Sequence, residues 1–182
     1  MVVNNVMSMD ARKIEHTLKS LDTASFDIAV EDIMAADSVY IIGARACEPL
    51  AEFLGYYLRM IKKNIQVIKT GNSNELFEQM MYIGKGDVAI GISFPRYSMR
   101  TLKAMEFANN RQARVIAITD SIHSPMNMYS SCNLFARSDM ASIVDSLVAP
   151  MSLINALIVS LCLKNSEQVV AVSYTHLRAH ET

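Results

Sequence analysis

Short apolar runs alternate with segments of helical spacing along most of this sequence. Runs rich in valine and isoleucine predict five strands, at Val39–Ile42, Ile65–Ile68, Val88–Ile92, Val115–Ile118 and, more weakly, Leu134–Ala136. Apolar residues three and four positions apart predict helices between them, at Pro49–Ile61, Asn74–Ile83, Met99–Asn109 and, in shorter form, Pro125–Tyr129. Strands that are apolar on both faces and alternate with amphipathic helices are typical of a parallel sheet covered on both sides. The pattern therefore predicts an α/β fold, a doubly wound three-layer sandwich with strand order 2-1-3-4-5 and flanking helices.

Helical patterns also flank this alternation. Apolar residues follow a helical period over Asp10–Ala36, with a break at Asp22–Ser25, and a last long helix is predicted at Ser142–Lys164. We therefore expect N-terminal linker helices in residues 1–36 and a single α/β domain in residues 37–165.

Residues 171–182 differ in character from the rest of the chain. They continue no apolar period and resemble a translated sequencing-adapter tail, so we expect them to be non-native. For this reason His176 and His180 are not interpreted as metal ligands, although their spacing would place them on one face of a helix.

The charge and the cysteine content limit the classes of function that the chain can have. The net charge of −1 argues against this chain binding nucleic acid by itself, because phosphate neutralisation needs a basic excess. The three cysteines, Cys47, Cys132 and Cys162, are too widely spaced for a zinc site or a disulfide framework, which favours a reducing, cytoplasmic compartment. We expect no metal and no cofactor. The longest apolar stretch, Leu147–Leu163, is interrupted by Pro150 and polar residues, so it is interpreted as a buried helix or subunit interface rather than a membrane span.

Two loops carry the candidate binding chemistry. The segments Gly43–Glu48 and Ser93–Ser98 follow the first and third predicted strands, which are neighbours in the expected sheet. Each loop runs into a helix N-terminus, where free backbone N–H groups and the helix dipole favour an anion. Arginine forks and serine hydroxyls add donors suited to phosphate or carboxylate. The predicted ligand-binding residues are Gly43, Ala44, Arg45, Cys47, Ser93, Arg96, Tyr97 and Ser98.

Each of these residues also has a structural interpretation. Gly43 can serve only a tight turn, and Ser98 is a plausible N-cap for the next helix. Arg45 and Arg96 can be solvated loop residues, and Cys47 can be a small buried hydrophobe. The case for a binding site therefore depends on the two loops converging.

Catalytic candidates are weaker. Glu48 lies in the first loop, and His123 follows the fourth predicted strand, on the same rim of the sheet. Either could act as a general base, but an isolated loop histidine is more often simply exposed.

Six segments together resemble the SIS (sugar isomerase) domain, most closely the C-terminal effector domain of RpiR/MurR-type bacterial transcriptional regulators. They are Tyr40–Arg45, Glu75–Glu78, Gly86–Val88, Ile92–Ser98, Ile116–Ser121 and Asp145–Pro150. The resemblance implies a SIS/flavodoxin-like fold that forms a homodimer or tetramer and binds a phosphosugar or related anionic metabolite. It also implies that DNA is bound only through a helix-turn-helix domain, for which residues 1–9 hold no recognition-helix pattern.

The chain departs from the pattern of this family in both loops. The usual phosphate loop, S-x-S-G-x-[ST], here keeps Ser93 and Ser98 but has Pro95 and Arg96 in place of the middle Ser-Gly. Cys47 stands where the first loop usually offers a serine. These changes put a standard hexose phosphate in doubt and leave room for a sugar acid or another anionic ligand.

Three functions remain in competition at this point. A ligand-sensing, dimerising regulator domain is favoured over an enzyme, because no convincing acid/base pair lies near the crevice. A single-domain phosphosugar aldose–ketose isomerase is the alternative, with Glu48, Glu52 and His123 as the candidate bases. A purely structural dimerisation module is the third, supported by the apolar last helix and the 13 methionines.

Overall fold

The computed structural model describes residues 1–139 and 144–166. Its helices are α1 (Val2–Ser20), α2 (Thr23–Ala35), α3 (Glu48–Ile61), α4 (Ser73–Gln79), α5 (Met99–Asn110) and α6 (Val148–Lys164). Its strands are β1 (Val39–Gly43), β2 (Ile65–Ile68), β3 (Val88–Ile92), β4 (Arg114–Thr119) and β5 (Cys132–Phe135). Single 3₁₀ turns lie at Arg45–Cys47 and Pro125–Met128.

The five strands form one parallel sheet in the order β2-β1-β3-β4-β5, which confirms the predicted fold class. Side chains that alternate along the strands face two separate apolar cores. Val39 and Ile41 pack with α2, α3 and α6, whereas Tyr40 and Ile42 pack with α4 and α5. The register pairs Gly43 with Ile92, so the loops after β1 and β3 leave the sheet side by side.

The N-terminal helix is longer than predicted, and its large apolar residues are exposed. It begins at Val2 rather than Asp10, and the break before α2 is confined to Leu21 and Asp22. Within α1 the buried residues are Lys13 and Thr17, whereas Leu18 is 71% exposed. Tertiary contacts, rather than the apolar period, therefore decide which face of this helix packs on the domain.

The last helix begins later than predicted. It starts at Val148, and the predicted start at Ser142 lies outside the described residues. Pro150 explains why residues 144–147, just before the helix, do not extend it. Proline is tolerated in a first turn, but deeper inside a helix it lacks an N–H donor and its ring clashes with the carbonyl four residues earlier. The segment 144–147 is consequently non-helical.

Three other boundaries also move. The fifth strand covers Cys132–Phe135 rather than Leu134–Ala136, because its pairing with β4 begins at Cys132. The fourth helix ends at Gln79, although Ile83 beyond it is fully buried. Pro125–Met128 is a 3₁₀ turn rather than a short α-helix.

Within the described residues, none of the helices is long and apolar enough to cross a membrane. The histidines of the predicted non-native tail, residues 171–182, lie outside the described part of the chain.

Candidate functional site

The loops after β1 and β3 face each other across a crevice at the carboxyl ends of the strands. Its inner part is a cavity of about 240 Å³ lined by Arg45, Cys47, Ser93 and Arg96, with Asp145 closing one side. A second cavity of about 600 Å³ shares Arg45 and extends the crevice outward. The two cavities therefore adjoin at Arg45, the smaller beside the larger.

The first loop is a tight 3₁₀ turn that leads directly into α3. Arg45 adopts a left-handed backbone conformation, with φ of 56°, and the N–H of Cys47 donates to the carbonyl oxygen of Ala44 at 3.1 Å. Gly43 makes this turn possible, because a Cβ at that position would lie 2.5 Å from the carbonyl oxygen of Cys47. Gly43 therefore allows the loop to turn tightly, whereas Ala44 and Arg45 line the two cavities.

In the second loop, two serine hydroxyls accept backbone hydrogen bonds. Oγ of the buried Ser93 accepts from the N–H of Ser98 at 3.1 Å, and Oγ of Ser98 accepts from Thr101 at 3.5 Å as the N-cap of α5. Within the described residues neither hydroxyl donates its own hydrogen to the protein. Each of them therefore remains available to donate to an anion in the inner cavity.

Tyr97 fixes the second loop to the neighbouring strand. Its hydroxyl donates to Oδ1 of Asp120 at 2.5 Å, at the end of β4. Burial, together with this hydrogen bond, raises the pKa of Tyr97 to about 12, so it remains a donor at neutral pH. Arg96, directly before it, has a left-handed φ of 69°. The loop thus holds Arg96 in a conformation that is uncommon outside glycine.

Arg96 is paired with a carboxylate that sequence reasoning did not assign to the site. Its Nη2 lies 2.5 Å from Oδ2 of Asp145. The prediction of one helix from Ser142 onward placed Asp145 inside that helix, whereas it lies in the non-helical segment before α6. The resemblance had marked Asp145–Pro150 as a family segment, and Pro150 was the available signal that this segment starts outside the helix.

Cys47 lines the inner cavity as a protonated thiol. Burial is the main cause that raises its pKa to about 11, and the charge of Asp145 adds to it. A hydrogen bond from the backbone N–H of Phe94 acts in the opposite direction. A thiol with this pKa is a poor nucleophile at neutral pH, so Cys47 contributes shape and a weak donor rather than covalent chemistry.

The two catalytic candidates occupy different places. Glu48 begins α3 and lines the outer cavity, where its side chain is exposed. His123 is exposed and lines neither of these cavities in the described part of the chain. Glu52 is engaged by Lys69, whose Nζ lies 2.5 Å from its carboxylate. The crevice therefore gathers the predicted binding residues except Gly43, which lies beneath the first loop, and of the three predicted bases it gathers Glu48.

Comparison with known proteins relates the chain to SIS domains and to helix-turn-helix regulators. The family described as SIS domain matches residues 32–160. An uncharacterized HTH-type transcriptional regulator of Haemophilus influenzae is 26% identical over 129 residues, covering 71% of this chain and 44% of the relative. A second such regulator, from Caldanaerobacter subterraneus, is matched over 61% of its length, so the chain spans about half the length of these relatives.

Solved structures share the fold. The sugar isomerase domain of an RpiR transcription factor from Sphaerobacter thermophilus is 27% identical, with a TM-score of 0.90 and coverage of 96% of this chain and 97% of that one. Vibrio vulnificus NanR complexed with ManNAc-6P is 19% identical, with a TM-score of 0.85 over 98% of this chain and 70% of that one. A phosphoheptose isomerase from Neisseria gonorrhoeae is 16% identical, with a TM-score of 0.72 over 87% and 96%. Regulators and enzymes both use this architecture.

Proposed function

The chain belongs to the SIS domain family, and on that premise we propose that it is the ligand-sensing and dimerising domain of a cytoplasmic, RpiR-like bacterial transcriptional regulator. The helix-turn-helix regulators among its relatives, and the likeness to the domain of an RpiR factor, support this assignment. Residues 1–36 connect the sensing domain to a DNA-binding domain outside this sequence. The observation that carries the proposal is the convergence of Arg45, Arg96 and two free hydroxyl donors on one cavity.

The proposed ligand is a phosphosugar, a sugar acid or a related anionic metabolite. The inner cavity receives the anionic group between the N-termini of α3 and α5, where the helix dipoles favour negative charge. The outer cavity, with Glu48, Thr70 and Tyr97 on its walls, receives the polar body of the ligand. The ManNAc-6P bound by NanR is consistent with a ligand of this chemistry.

Isomerase activity is the alternative, because enzymes share the fold. Aldose–ketose isomerisation moves a proton between adjacent carbons and needs a base beside them. Glu48 is the predicted base that lines the crevice, whereas His123 lies outside both cavities. Turnover of a ketose phosphate that is lost in a Glu48→Gln variant would favour the enzyme over the sensor.

We expect ManNAc-6P or a related anionic sugar to raise the melting temperature of the purified domain. A ligand at about a hundred times its dissociation constant adds about 2.7 kcal/mol, which in a domain of this length corresponds to roughly 5–10 °C. Arg96→Ala and Ser93→Ala should abolish the shift, since each removes a donor of the inner cavity. Thermal-shift screening of phosphosugars, sugar acids and free phosphate measures it.

Arg137→Ala is the matched control for this screen, because Arg137 is also an exposed arginine paired with an aspartate, Asp139, and does not line the crevice. It should retain the full ligand shift. A folded wild-type domain that responds to none of these anions would contradict the sensor proposal and favour a structural module.

Dimerisation is proposed through the outer face of α1. On that face this helix carries a stripe of exposed apolar residues, Val3, Met7, Ile14 and Leu18. Exposed apolar surface of this extent on a surface helix commonly marks a protein–protein contact. The neighbouring α6 adds the exposed Val159 and Leu163. A second copy of the chain covering this face would bury both sets.

We expect Leu18→Glu to convert the wild-type dimer into a monomer, since it places a charge within the proposed apolar contact. Sedimentation velocity at matched concentrations measures the change. Ile122→Glu is the control, because Ile122 is about as exposed as Leu18, at 73% against 71%, but lies in the loop after β4. A monomeric wild type, or a dimeric Leu18→Glu variant, would contradict this interface.

A further inference from the structure

An anionic ligand would bind the guanidinium group of Arg96, but that group is already paired with the carboxylate of Asp145. Nη2 of Arg96 contacts Oδ2 of Asp145 at 2.5 Å, and both residues line the inner cavity. The Arg96 side chain is 62% exposed, and surface pairs of this kind contribute little to stability. The carboxylate also puts negative charge beside a cavity whose other donors suit an anion. Stability alone therefore gives no reason for this pair.

Asp145 belongs to a short segment that also contacts the N-terminal helix. The next residue, Ser146, donates its hydroxyl hydrogen to Oδ1 of Asp10 in α1 at 2.6 Å. Asp10 in turn lies 3.5 Å from Nζ of Lys13, whose side chain is buried against the domain. Residues 144–147 thus connect the crevice to α1 through two adjacent side chains that point to different partners.

The part of this segment that carries both contacts lies outside the helix. Asp145 and Ser146 are non-helical, and the segment is fixed at Leu147, whose carbonyl oxygen accepts from the N–H of Met151 at 2.9 Å where α6 begins. Loss of the Arg96–Asp145 contact would therefore alter the strength of the Ser146–Asp10 contact without disturbing the sheet. Coupling of this kind needs an element with two arrangements that both sites bias, and Asp145 and Ser146, which contact both sites, are placed to supply it.

We propose that Asp145 is a built-in competitor of the anionic ligand, and that ligand binding to Arg96 releases Asp145 and thereby weakens the Ser146–Asp10 contact to α1. The inference rests on the proposed function, because it requires an anion to bind at Arg96. The guanidinium fork matches one carboxylate or phosphate face at a time, so ligand and Asp145 exclude each other there. Through α1, occupancy of the crevice reaches the helix that we propose leads to the DNA-binding domain.

Inorganic phosphate is the probe for the competition. We expect Asp145→Asn to tighten phosphate binding roughly tenfold, because it removes the competing charge while retaining the shape of the side chain. Phosphate titration followed by NMR of the backbone amides measures the affinity. Asp139→Asn is the matched control, since it removes the same charge from the exposed pair with Arg137, and it should leave the affinity unchanged.

Hydrogen exchange tests the connection to α1. In the wild type, saturating phosphate should speed amide exchange of the α1 peptides around Asp10 at least several-fold, because a lost contact lowers the cost of local opening. Ser146→Ala keeps Arg96 and Asp145 but removes the contact that binding would weaken, so by reciprocity it should bind phosphate at least as tightly as the wild type does. Its α1 exchange should no longer depend on phosphate, since the contact is already absent.

The possible outcomes separate the two levels of the argument. If the wild type binds no phosphate at the crevice, this inference is overturned, whereas the sensor proposal is overturned only when the phosphosugars and sugar acids of the thermal-shift screen fail as well. If phosphate binds and Asp145→Asn does not tighten it, the competitor is disproved while the sensor stands. If Asp145→Asn tightens binding but wild-type α1 exchange ignores phosphate, the transmission to α1 is overturned.

Discussion

We expect Gly43→Ala to lower the melting temperature by several degrees and to weaken phosphate binding at the crevice. A Cβ at this position would lie 2.5 Å from the carbonyl oxygen of Cys47 and 3.1 Å from Cβ of Ala51. Neither atom can rotate away, because one is backbone and the other belongs to a fully buried alanine in α3. Overpacking of this kind typically costs about 1–3 kcal/mol, and each kcal/mol corresponds to about 2–4 °C in a domain of this length.

The same substitution should reach the binding site because the loop itself must give way. Gly43 pairs with Ile92 in the sheet, so the strand cannot retreat without breaking that pairing. The movable part is the 3₁₀ turn Arg45–Cys47, which lines the inner cavity. Displacing it moves Arg45 away from the anion position, and we expect the phosphate affinity to fall at least several-fold.

Gly71→Ala provides the control, because Gly71 also borders the crevice but a Cβ there would meet nothing within 4 Å. It should melt within about a degree of the wild type, or slightly above it, since alanine restricts the unfolded chain. Thermal denaturation and phosphate titration of the two variants measure both effects. Equal melting temperatures and equal affinities would show that the turn tolerates a side chain at position 43.

The sheet followed from the sequence because its strands are buried on both faces. Runs such as Val88–Ile92 have no polar face, and only a parallel sheet between two helical layers can bury such a run on both sides. Four of the five strands were located to within a residue at each end. The handedness of the crossovers then left few topologies, and the order 2-1-3-4-5 chosen among the doubly wound sheets is the one observed.

The start of the fifth strand was not predictable from its own residues. Cys132 and Asn133 are not typical strand residues, yet they pair with Ile116 and Ala117 of β4. An edge strand of this kind is specified by the neighbour it pairs with rather than by its own β-propensity. The sequence pattern therefore started the strand at Leu134, its first strongly apolar residue.

The two candidate loops could be anticipated because each directly follows a strand whose position was clear. The registration of Gly43 beside Ile92 then brings their residues together. Asp145 could not be found in this way, since it lies 49 residues from Arg96 and its segment follows no strand of the switch point. The packing of α6 against α2 and α3, rather than its position along the chain, places this carboxylate at the crevice.

Leu54→Ala should have the largest effect on stability while leaving the crevice intact. Leu54 is fully buried in α3, within the core formed by α2, α3, α6 and the sheet. Removing a leucine side chain from such a site costs about 2–5 kcal/mol, from lost transfer energy and from the cavity left behind. Urea unfolding at one fixed protein concentration measures this loss, because the stability of a dimer depends on concentration.

The phosphate affinity of folded Leu54→Ala should stay within about twofold of the wild type. Leu54 lies six residues beyond Glu48, the first residue of α3, or about 9 Å along the helix, and it faces the core rather than the crevice. Ile122→Ala is the control, because isoleucine is an isomer of leucine but Ile122 is 73% exposed. It should change the unfolding free energy by less than about 0.5 kcal/mol.

Gly43→Ala and Leu54→Ala would then separate a defect in the site from a defect in the core. If Leu54→Ala lost much of its phosphate affinity, the position of the first loop would depend on complete packing of the buried face of α3.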